Sequence, residues 1–171
     1  FRPDRTIDTY TQILKKLYPH TPVVVGGIEA SLRRLTHYDY WSDKLRSSIL
    51  ETSGADLLVY GMGDKPIREV AKAMRNGFNM KLLRGLRQVG FIADKEYIER
   101  LYNGKTIVLN SYEECLKDKT KFGKNFTEIE TLSNMMECNT TLIEGVGDKY
   151  VVITPPHETL TTEELENTEK Y

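Results

Sequence analysis

Two short apolar runs, each closed by glycines, constrain the fold of this chain more than any other feature. Val23 to Val25 is a β-branched run that ends at Gly26-Gly27. Leu57 to Tyr60 is a second apolar run, and it ends at Gly61-Met62-Gly63. Short apolar runs bounded by turn residues are typical of strands buried on both faces. Since helical patterns precede and follow these strands, the sequence predicts an α/β fold with a mainly parallel sheet.

The remaining elements are predicted from periodicity and capping residues. Apolar spacing predicts helices over residues 4–18 and 64–76, the second capped by Asp64 and closed at Asn76-Gly77. We expect a shorter helix from Ser42, a good N-cap, to Glu51. A polar segment over 111–136 is predicted to be mostly helical, with an interruption at Gly123. Further strands are expected over 88–92 and 106–109, a helix over 95–102, and a helical turn near 30–35.

The C-terminal part of the chain has the pattern of a hairpin. Residues 140–144 and 150–154 alternate apolar and polar side chains around a turn at Gly145 to Asp148. Pro155-Pro156 ends the predicted sheet, and residues 161–167 are expected to form a short acidic helix. The sequence therefore predicts one α/β domain over 1–156 and a linker over 157–171.

The composition excludes several classes of protein. With 24 Lys and Arg against 25 Asp and Glu, the net charge of −1 gives no overall field to attract nucleic acid or an anionic membrane. No apolar run approaches the roughly 20 residues of a spanning helix, and the N-terminus lacks the pattern of a signal peptide. We therefore expect a cytoplasmic protein without membrane association. Because the chain begins at Phe1 without an initiator Met, we expect it to be a piece of something longer.

The cysteine content argues against a metal site in this chain. The two cysteines, Cys115 and Cys138, lie outside any spacing that is typical of metal ligands. We expect two separate thiols. If the protein works with a metal cluster, the ligands of that cluster lie outside these residues.

The glycine turns are the first candidate binding site. In an open parallel sheet, ligands bind outside the carboxyl ends of the strands, where glycines let backbone N–H groups approach closely. Gly26 and Gly27 would then share one pocket with Gly61 and Gly63. The alternative is that these glycines only turn the chain tightly between strand and helix. Neither turn is a G-x-G-x-x-G fingerprint or a P-loop, so a nucleotide fold does not follow from them.

The segment from Gly26 to Arg46 is the second candidate, because it places many ionisable and aromatic groups directly after a buried strand. Such groups are costly to hold unless they pair with each other, bind a ligand or face water. Arg33 and Arg34 could hold a phosphate or carboxylate by bidentate hydrogen bonds, and His37 could serve as acid, base or ligand. The alternative is a solvated loop with internal ion pairs, a half-buried Trp41 and a structural histidine. The candidate residues of this segment are Glu29, Ser31, Arg33, Arg34, His37, Tyr38, Tyr40, Trp41 and Lys44.

Several runs of the sequence resemble YgiQ-family radical SAM proteins, in the region just before their iron–sulfur core. The longest and most specific are VVVGGIEASLRR, from Val23 to Arg34, and HYDYWSDK, from His37 to Lys44. Residues 81–136 match only loosely. The other matching runs are Arg2-Pro3-Asp4-Arg5, LLVYGMGD from Leu57 to Asp64, KYVVITPP from Lys149 to Pro156, Leu160-Thr161 and Glu163 to Leu165.

The resemblance implies that the intact protein is a radical SAM enzyme. Such enzymes bind a four-iron four-sulfur cluster through a C-x-x-x-C-x-x-C motif and use it to cleave S-adenosylmethionine. The motif is absent from this chain and is expected after Tyr171. Residues 1–156 would then be an accessory domain, and residues 157–171 would lead to the missing radical SAM core. The resemblance names neither a reaction nor a substrate.

The front part of this family also resembles cobalamin-binding modules, in which strand-glycine loops line the corrin site. That resemblance implies a partial Rossmann-like sheet with flanking helices, followed here by the C-terminal hairpin. The chain has both glycine loops but lacks the D-x-H-x-x-G motif that donates the lower histidine ligand. The missing motif argues against cobalamin binding.

Three functions remain open at this point. The leading hypothesis is an accessory domain that docks on the radical SAM core of the same polypeptide and contributes Gly26 to Lys44 to the binding of a substrate or cofactor. A structural interface with the missing domain or with another subunit is the plainest alternative. The near-zero net charge and the acidic residues of the segment argue against the remaining hypothesis, which involves nucleic acid. In that hypothesis an RNA- or nucleotide-binding module uses Arg33, Arg34, Lys44 and Arg46 on phosphate and Tyr38, Tyr40 and Trp41 on bases.

Overall fold

Helices and strands alternate along the chain, as the sequence predicts. The computed structural model describes residues 4–77, 79–101, 105–135, 137–159 and 161–162. Within these ranges no helix is both long enough and apolar enough to cross a bilayer. The strands found there are β1 (Val24–Val25), β2 (His37–Asp39), β3 (Lys44–Arg46), β4 (Leu57–Val59), β5 (Val89–Ala93), β6 (Thr106–Val108), β7 (Thr141–Val146) and β8 (Lys149–Ile153). The helices are α1 (Thr6–Leu17), α2 (Gly27–Leu32), α3 (Ile49–Ser53), α4 (Asp64–Arg75), α5 (Lys95–Leu101), α6 (Tyr112–Lys117) and α7 (Lys119–Ser133), and a short 3₁₀ helix spans Leu82–Gly85.

Among the described residues, six strands form one mixed sheet in the order β1-β4-β5-β8-β7-β6, and β2 pairs with β3 in a separate hairpin. The α/β class, the Rossmann-like arrangement of sheet and helices, and the C-terminal hairpin are confirmed. Parallel pairing occurs at the two outer pairs, β1–β4 and β6–β7, whereas the three inner pairs are antiparallel. One reason is that β8 follows β7 after a turn of two residues, and so short a connection allows only antiparallel pairing.

Apolar side chains cover both faces of this sheet. Leu57 and Val59 of β4 point to one face and pack in the same cluster as Phe91, under α4 and α5. Leu58 points to the other face and packs in the same cluster as Leu50, under α3 and α7. Each of these five side chains is at most 5% exposed. The alternation is the two-residue period of a strand, and here both of its faces are covered by helices.

The segment over 42–51 differs from the prediction, and the helix from Ser42 to Glu51 is wrong. The chain forms the hairpin β2–β3, and α3 begins only after it. Ser48 caps α3, and its hydroxyl accepts a hydrogen bond from the Leu50 N–H at 3.2 Å. Ser42 lies between the two strands, where its hydroxyl donates to the Asp39 carboxylate at 2.6 Å. Both serines are good N-caps by residue type, and the contact with Asp39 decides between them.

Other boundaries shift by a few residues. Gly63, not Asp64, occupies the N-cap position of α4. The region over 111–136 is interrupted at Asp118 rather than Gly123, because the Asp118 carboxylate accepts the Thr120 N–H at 2.9 Å and caps α7. The remaining predicted strands and the helices α1, α4 and α5 are confirmed within two residues. Residues 163–167 of the predicted helix over 161–167, and most of the 157–171 linker, lie outside the described residues.

Candidate functional site

The two glycine turns lie next to each other at one edge of the sheet. They follow β1 and β4, which pair in parallel, so both turns leave the sheet in the same direction. The Gly61 N–H donates to the Ser31 hydroxyl at 3.0 Å and joins the second turn to α2. Gly27 and Gly61 have φ angles of +82° and +66°, and a Cβ on Gly26 would lie 3.3 Å from the Val59 carbonyl oxygen. Local backbone geometry is therefore sufficient to favour glycine at these positions.

Gln88 holds the second glycine turn in place. Its side-chain amide donates to the carbonyl oxygens of Tyr60 at 2.7 Å and Met62 at 2.8 Å. Its own φ is +62°, an uncommon value for a residue other than glycine, and its side chain is buried. Because its partners lie 26 and 28 residues earlier in the chain, no local pattern in the sequence could have found this role.

The predicted segment over 26–46 divides into two regions with different surroundings. Ser31 and Arg34 face inward and, together with Gly61, line a cavity of about 300 Å³. The other candidate residues lie outside this cavity, and their part in ligand binding stays a prediction. They are Gly26, Gly27, Glu29, Arg33, His37, Tyr38, Tyr40, Trp41, Lys44 and Gly63.

This cavity, called the Arg34 cavity from here on, lies between α2, the end of β4 and α7. Its walls are mainly apolar with a few hydroxyl groups, and most of them come from the second half of the chain. These residues were not among the predicted site residues, because they lie far from Arg34 in the sequence and no local pattern connects them to it. They are Tyr60, Ile129, Leu132, Ser133, Met135, Cys138, Thr140, Leu142, Ile153, Thr154 and Pro156.

Arg34 is the charged group of the cavity, and the described lining residues include no other. Its Nη1 atom donates to the Ser31 carbonyl oxygen at 2.5 Å, and its guanidinium carbon lies 5.1 Å from the centroid of the Tyr60 ring. The Nε atom is buried and has no hydrogen-bond partner in the described part of the chain. Burial lowers the pKa of Arg34, but a guanidinium stays charged at neutral pH.

The aromatic ring of Tyr60 stacks against this guanidinium. Its phenol hydroxyl donates to the Thr154 carbonyl oxygen at 2.6 Å, which fixes the ring against the end of β8. Burial raises the pKa of Tyr60, while the charge of Arg34 opposes that rise. The phenol is therefore a neutral, fully engaged donor, and its ring face is available for the cation–π contact with Arg34.

The β2–β3 hairpin is organised around the carboxylate of Asp39. This carboxylate accepts hydrogen bonds from the Ser42 hydroxyl at 2.6 Å and from Arg46 Nε at 2.7 Å, and Arg5 Nη2 lies 3.6 Å away. The bonds from Ser42 and Arg46 lower the pKa of Asp39 to about 2. Arg46 is thereby engaged within the hairpin.

Replacing Asp39 with asparagine should destabilise the protein by about 1 kcal/mol, because a charge-assisted acceptor of two donors is lost. The native contribution is present above the ordinary pKa of 3.8 and is lost as the pH falls toward 2. Urea unfolding at pH 7 measures the difference. Asp43→Asn is the matched control, since Asp43 is exposed and accepts one bond, from the Tyr38 hydroxyl at 2.6 Å. Equal stabilities of the two variants would contradict the central role of Asp39.

His37 lies in β2 opposite Arg46. Its Nδ1 atom is 3.2 Å from the Leu35 carbonyl oxygen. Burial lowers the pKa of His37, and the nearby charges of Arg33 and Arg46 act in the same direction. The imidazole is therefore neutral at pH 7, and its role as acid, base or ligand stays a prediction.

Five apolar side chains project into solvent around α2, and we call this set the apolar rim. On α2, Ile28 and Leu32 are 81% and 72% exposed, on the side of the helix opposite the fully buried Ala30. Met62 in the second glycine turn is 64% exposed. In the hairpin, Tyr40 and Trp41 are 78% and 89% exposed and contact each other edge to face, so Trp41 is not half-buried.

The described residues do not fit a metal cluster. Within the described ranges, no group of three or more His, Cys, Asp or Glu side chains could hold a metal ion. The two cysteines are buried in different surroundings: Cys115 lies beside Asn125, whose amide donates to its sulfur at 3.4 Å, whereas Cys138 lines the Arg34 cavity. No step of iron–sulfur chemistry can therefore be assigned to these residues.

Comparison with known proteins assigns the chain to a family. A family model described as "Radical SAM N-terminal" matches residues 1–171. A UPF0313 protein of Porphyromonas gingivalis is 46% identical over 96% of this chain and 26% of its own length. UPF0313 proteins of Bacteroides thetaiotaomicron and Clostridium perfringens are 45% and 42% identical, over 97% and 96% of this chain and 28% and 24% of their own lengths. The chain thus spans about a quarter of the length of these curated relatives. No solved structure matches it.

Proposed function

The chain belongs to the Radical SAM N-terminal family, and we propose that it is an accessory domain that docks on the catalytic core of a radical SAM enzyme through the apolar rim. The relatives confirm the resemblance to the YgiQ family. Membership implies an iron–sulfur cluster and S-adenosylmethionine for the intact protein. Since the chain spans about a quarter of its relatives, we place a four-iron four-sulfur cluster and the catalytic core in the remaining part. The cytoplasmic location stays a prediction.

The outward face of α2 is the observation that supports docking. A short surface helix normally buries one apolar stripe and turns polar groups to water. Here Ala30 faces the core, yet Ile28 and Leu32 face solvent on the opposite side. Burying each of these two side chains against a partner would contribute roughly 1.5–3 kcal/mol. Exposed apolar patches of this kind typically mark interaction surfaces.

The hairpin extends this surface in a way that suits a protein partner. Trp41 and Tyr40 are large aromatic side chains, which are enriched at the centres of protein interfaces. Arg33 and Trp41 also line one cleft of about 520 Å³, so the end of α2 and the hairpin are neighbours. We therefore treat α2, the second glycine turn and the hairpin as one docking surface.

The pairing of the arginines favours docking over nucleic-acid binding. Arg33 Nη1 bonds the Glu29 carboxylate at 2.9 Å, and Arg46 Nε bonds the Asp39 carboxylate at 2.7 Å. Arg34 lines the cavity. Two of the four cations proposed for phosphate contacts, Arg33 and Arg46, are thus paired with carboxylates, and Arg34 faces a largely apolar cavity. A protein that binds nucleic acid depends on phosphate contacts for its affinity.

The docking proposal is tested in the full-length protein by hydrogen exchange. We expect amides of α2 and of the β2–β3 hairpin to be protected there, and Ile28→Asp/Leu32→Asp to reduce that protection at least tenfold. Protection of β5 amides should not change, because neither side chain contacts the sheet core. Leu116→Asp, at a 52% exposed leucine on α6, is the matched control and should leave the rim protected.

Two results would contradict the proposal. Rim amides that exchange equally fast in the native protein and in the double variant would exclude docking through this surface. A full-length protein that is colourless after anaerobic reconstitution with iron and sulfide, without iron–sulfur absorbance, would exclude the radical SAM enzyme.

A further inference from the structure

We infer that the Arg34 cavity binds a small organic carboxylate, with the carboxylate at the Arg34 guanidinium and an apolar tail against α7. The inference is independent of docking, because it concerns the interior of the cavity and not the apolar rim. It rests on the unpaired charge of Arg34, on the composition of the walls and on the rigid support of the guanidinium.

Among the described residues Arg34 forms no ion pair, and the carboxylate of Glu130 acts on its guanidinium only through a longer-range charge interaction. Its neighbours in sequence and in the hairpin are paired, Arg33 with Glu29 at 2.9 Å and Arg46 with Asp39 at 2.7 Å. The ion pairs within 4.0 Å among the described residues include Arg33 and Arg46 but not Arg34. The Nε atom of Arg34 is buried and has no hydrogen-bond partner there. A largely buried charge without a partner is costly, and a bound anion would offset that cost.

The walls of the cavity favour a carboxylate over a phosphate. Six lining side chains are aliphatic, thioether or proline: Ile129, Leu132, Met135, Leu142, Ile153 and Pro156. Besides Arg34, the polar side chains that line the cavity are neutral and belong to Ser31, Tyr60, Ser133, Cys138, Thr140 and Thr154. A phosphate carries more charge and usually requires several N–H donors or cations. A ligand with one carboxylate and an apolar tail needs one guanidinium, which can donate two hydrogen bonds to the carboxylate, and an apolar surface for the tail. Arg34 and the aliphatic lining residues provide both.

The guanidinium is held rigidly before any ligand arrives. Its plane is supported by the Tyr60 ring at 5.1 Å, and Nη1 is tied to the Ser31 carbonyl oxygen. Tyr60 is fixed in turn by its bond to Thr154. Binding to a preorganised group costs less conformational entropy than binding to a free arginine. A volume of about 300 Å³ limits the ligand to the small end of the range for binding pockets.

The test uses Cys115 and Cys138 as reporters in the full-length protein, and peptide mass spectrometry measures the alkylation of each. Cys138 lines the cavity and Cys115 does not, so a bound ligand should slow alkylation of Cys138 and leave Cys115 unchanged. Hexanoate is the probe, hexanamide is its neutral isostere, and hexyl phosphate carries the alternative anion. We expect half-maximal protection by hexanoate at about 1 mM or below, with hexanamide at least tenfold weaker. Stronger protection by hexyl phosphate, equal protection by hexanamide, or no protection at all would overturn the inference.

Variants assign the effect to the guanidinium. Arg34→Gln should weaken protection by hexanoate at least tenfold, and Arg34→Lys should weaken it less, because the charge remains without the planar fork. Arg84→Gln is the matched control: Arg84 also stacks on an aromatic ring, at 5.1 Å from the Phe91 centroid, and donates to a backbone carbonyl, but it lies outside the cavity. If Arg34→Gln does not fold, Arg34→Lys and the comparison of hexanoate with hexanamide still test whether the guanidinium binds the carboxylate. Native-like protection in both Arg34 variants would refute the inference.

Discussion

The native chain is expected to lose about 3 kcal/mol of stability between pH 4.5 and 7 through Glu144, and Glu144→Gln should remove that loss. Glu144 lies in β7 and is 1% exposed. One of its carboxylate oxygens accepts the Thr36 N–H at 2.8 Å, across 108 residues of sequence. This bond ties the loop between α2 and the hairpin to strand β7.

Burial raises the pKa of Glu144 to about 7; the hydrogen bond from Thr36 opposes that rise, and the nearby charge of Glu113 adds to it. The folded state therefore holds a proton that the unfolded state releases near pH 4.5. Folding is favoured below that pH, and the advantage is lost as the pH rises through 7. The lowered pKa of Asp39 has the opposite effect, because stability falls as the pH falls from 3.8 toward 2. The pH ranges in which Glu144 and Asp39 change the stability therefore do not overlap.

The contributions of other groups that titrate between pH 4.5 and 7 cancel when the native chain is compared with Glu144→Gln. The lowered pKa of His37 makes stability rise with pH as its unfolded form deprotonates, and it contributes equally to the native chain and to Glu144→Gln. Cys115, whose pKa burial raises to about 11, stays protonated throughout. Urea unfolding from pH 5 to 7.5 measures the slopes. Glu113→Gln should keep most of the native slope, whereas the same slope in Glu144→Gln as in the native chain would contradict the assignment.

Gly90→Ala should destabilise the protein by about 2 kcal/mol, because the added methyl group overpacks the core around Ile153. Gly90 lies in β5 between β4 and β8, and a Cβ there would lie 2.7 Å from Ile153 Cδ1 and 3.4 Å from Leu50 Cδ1. Both neighbours are at most 2% exposed, and the contact is relieved only if the side chain of Ile153, which also lines the Arg34 cavity, moves from its native position. The intrinsic gain from replacing a strand glycine, up to about 1 kcal/mol, does not offset this contact.

A double-mutant cycle tests the proposed contact directly. Ile153→Val removes the Cδ1 atom and should cost about 1 kcal/mol alone. Combined with Gly90→Ala it should cost less than the sum of the two single variants, by about 1 kcal/mol. Gly123→Ala, at an open position inside α7, is the control and should be neutral or stabilising. Strict additivity would show that Ile153 is not the obstacle.

The fold was largely predictable because its signals are local. The run Val23 to Val25 is specified by its β-branched residues and by the glycines that follow it. The helix at Asp64–Arg75 is specified by apolar spacing and by Gly63 and Gly77 at its ends. The pairing partners were not predictable in the same way. The hairpin at Ser42 shows the limit, since a serine suited to capping a helix instead bonds Asp39 in a turn.

The candidate site was predictable only in part, for the same reason. Adjacent glycine turns follow from two parallel strands, and Ser31, Arg34 and Gly61 do line one cavity. The different roles of Arg33 and Arg34 could not be predicted from the sequence. They are adjacent residues of the same type, and only the folded backbone decides in which direction each side chain points. Cys138 and the residues of α7 reach the cavity from a distant part of the chain.

The sequence by itself determined the family, the α/β class and the positions of most helices and strands, since these depend on residues that are close together in the chain. Only the tertiary structure decided that β5 pairs antiparallel with β4 and β8, that Arg34 faces a cavity while Arg33 pairs with Glu29, and that Glu144 holds Thr36. These features depend on contacts between distant residues. Their energies are set by burial and distance, which the order of residues does not record.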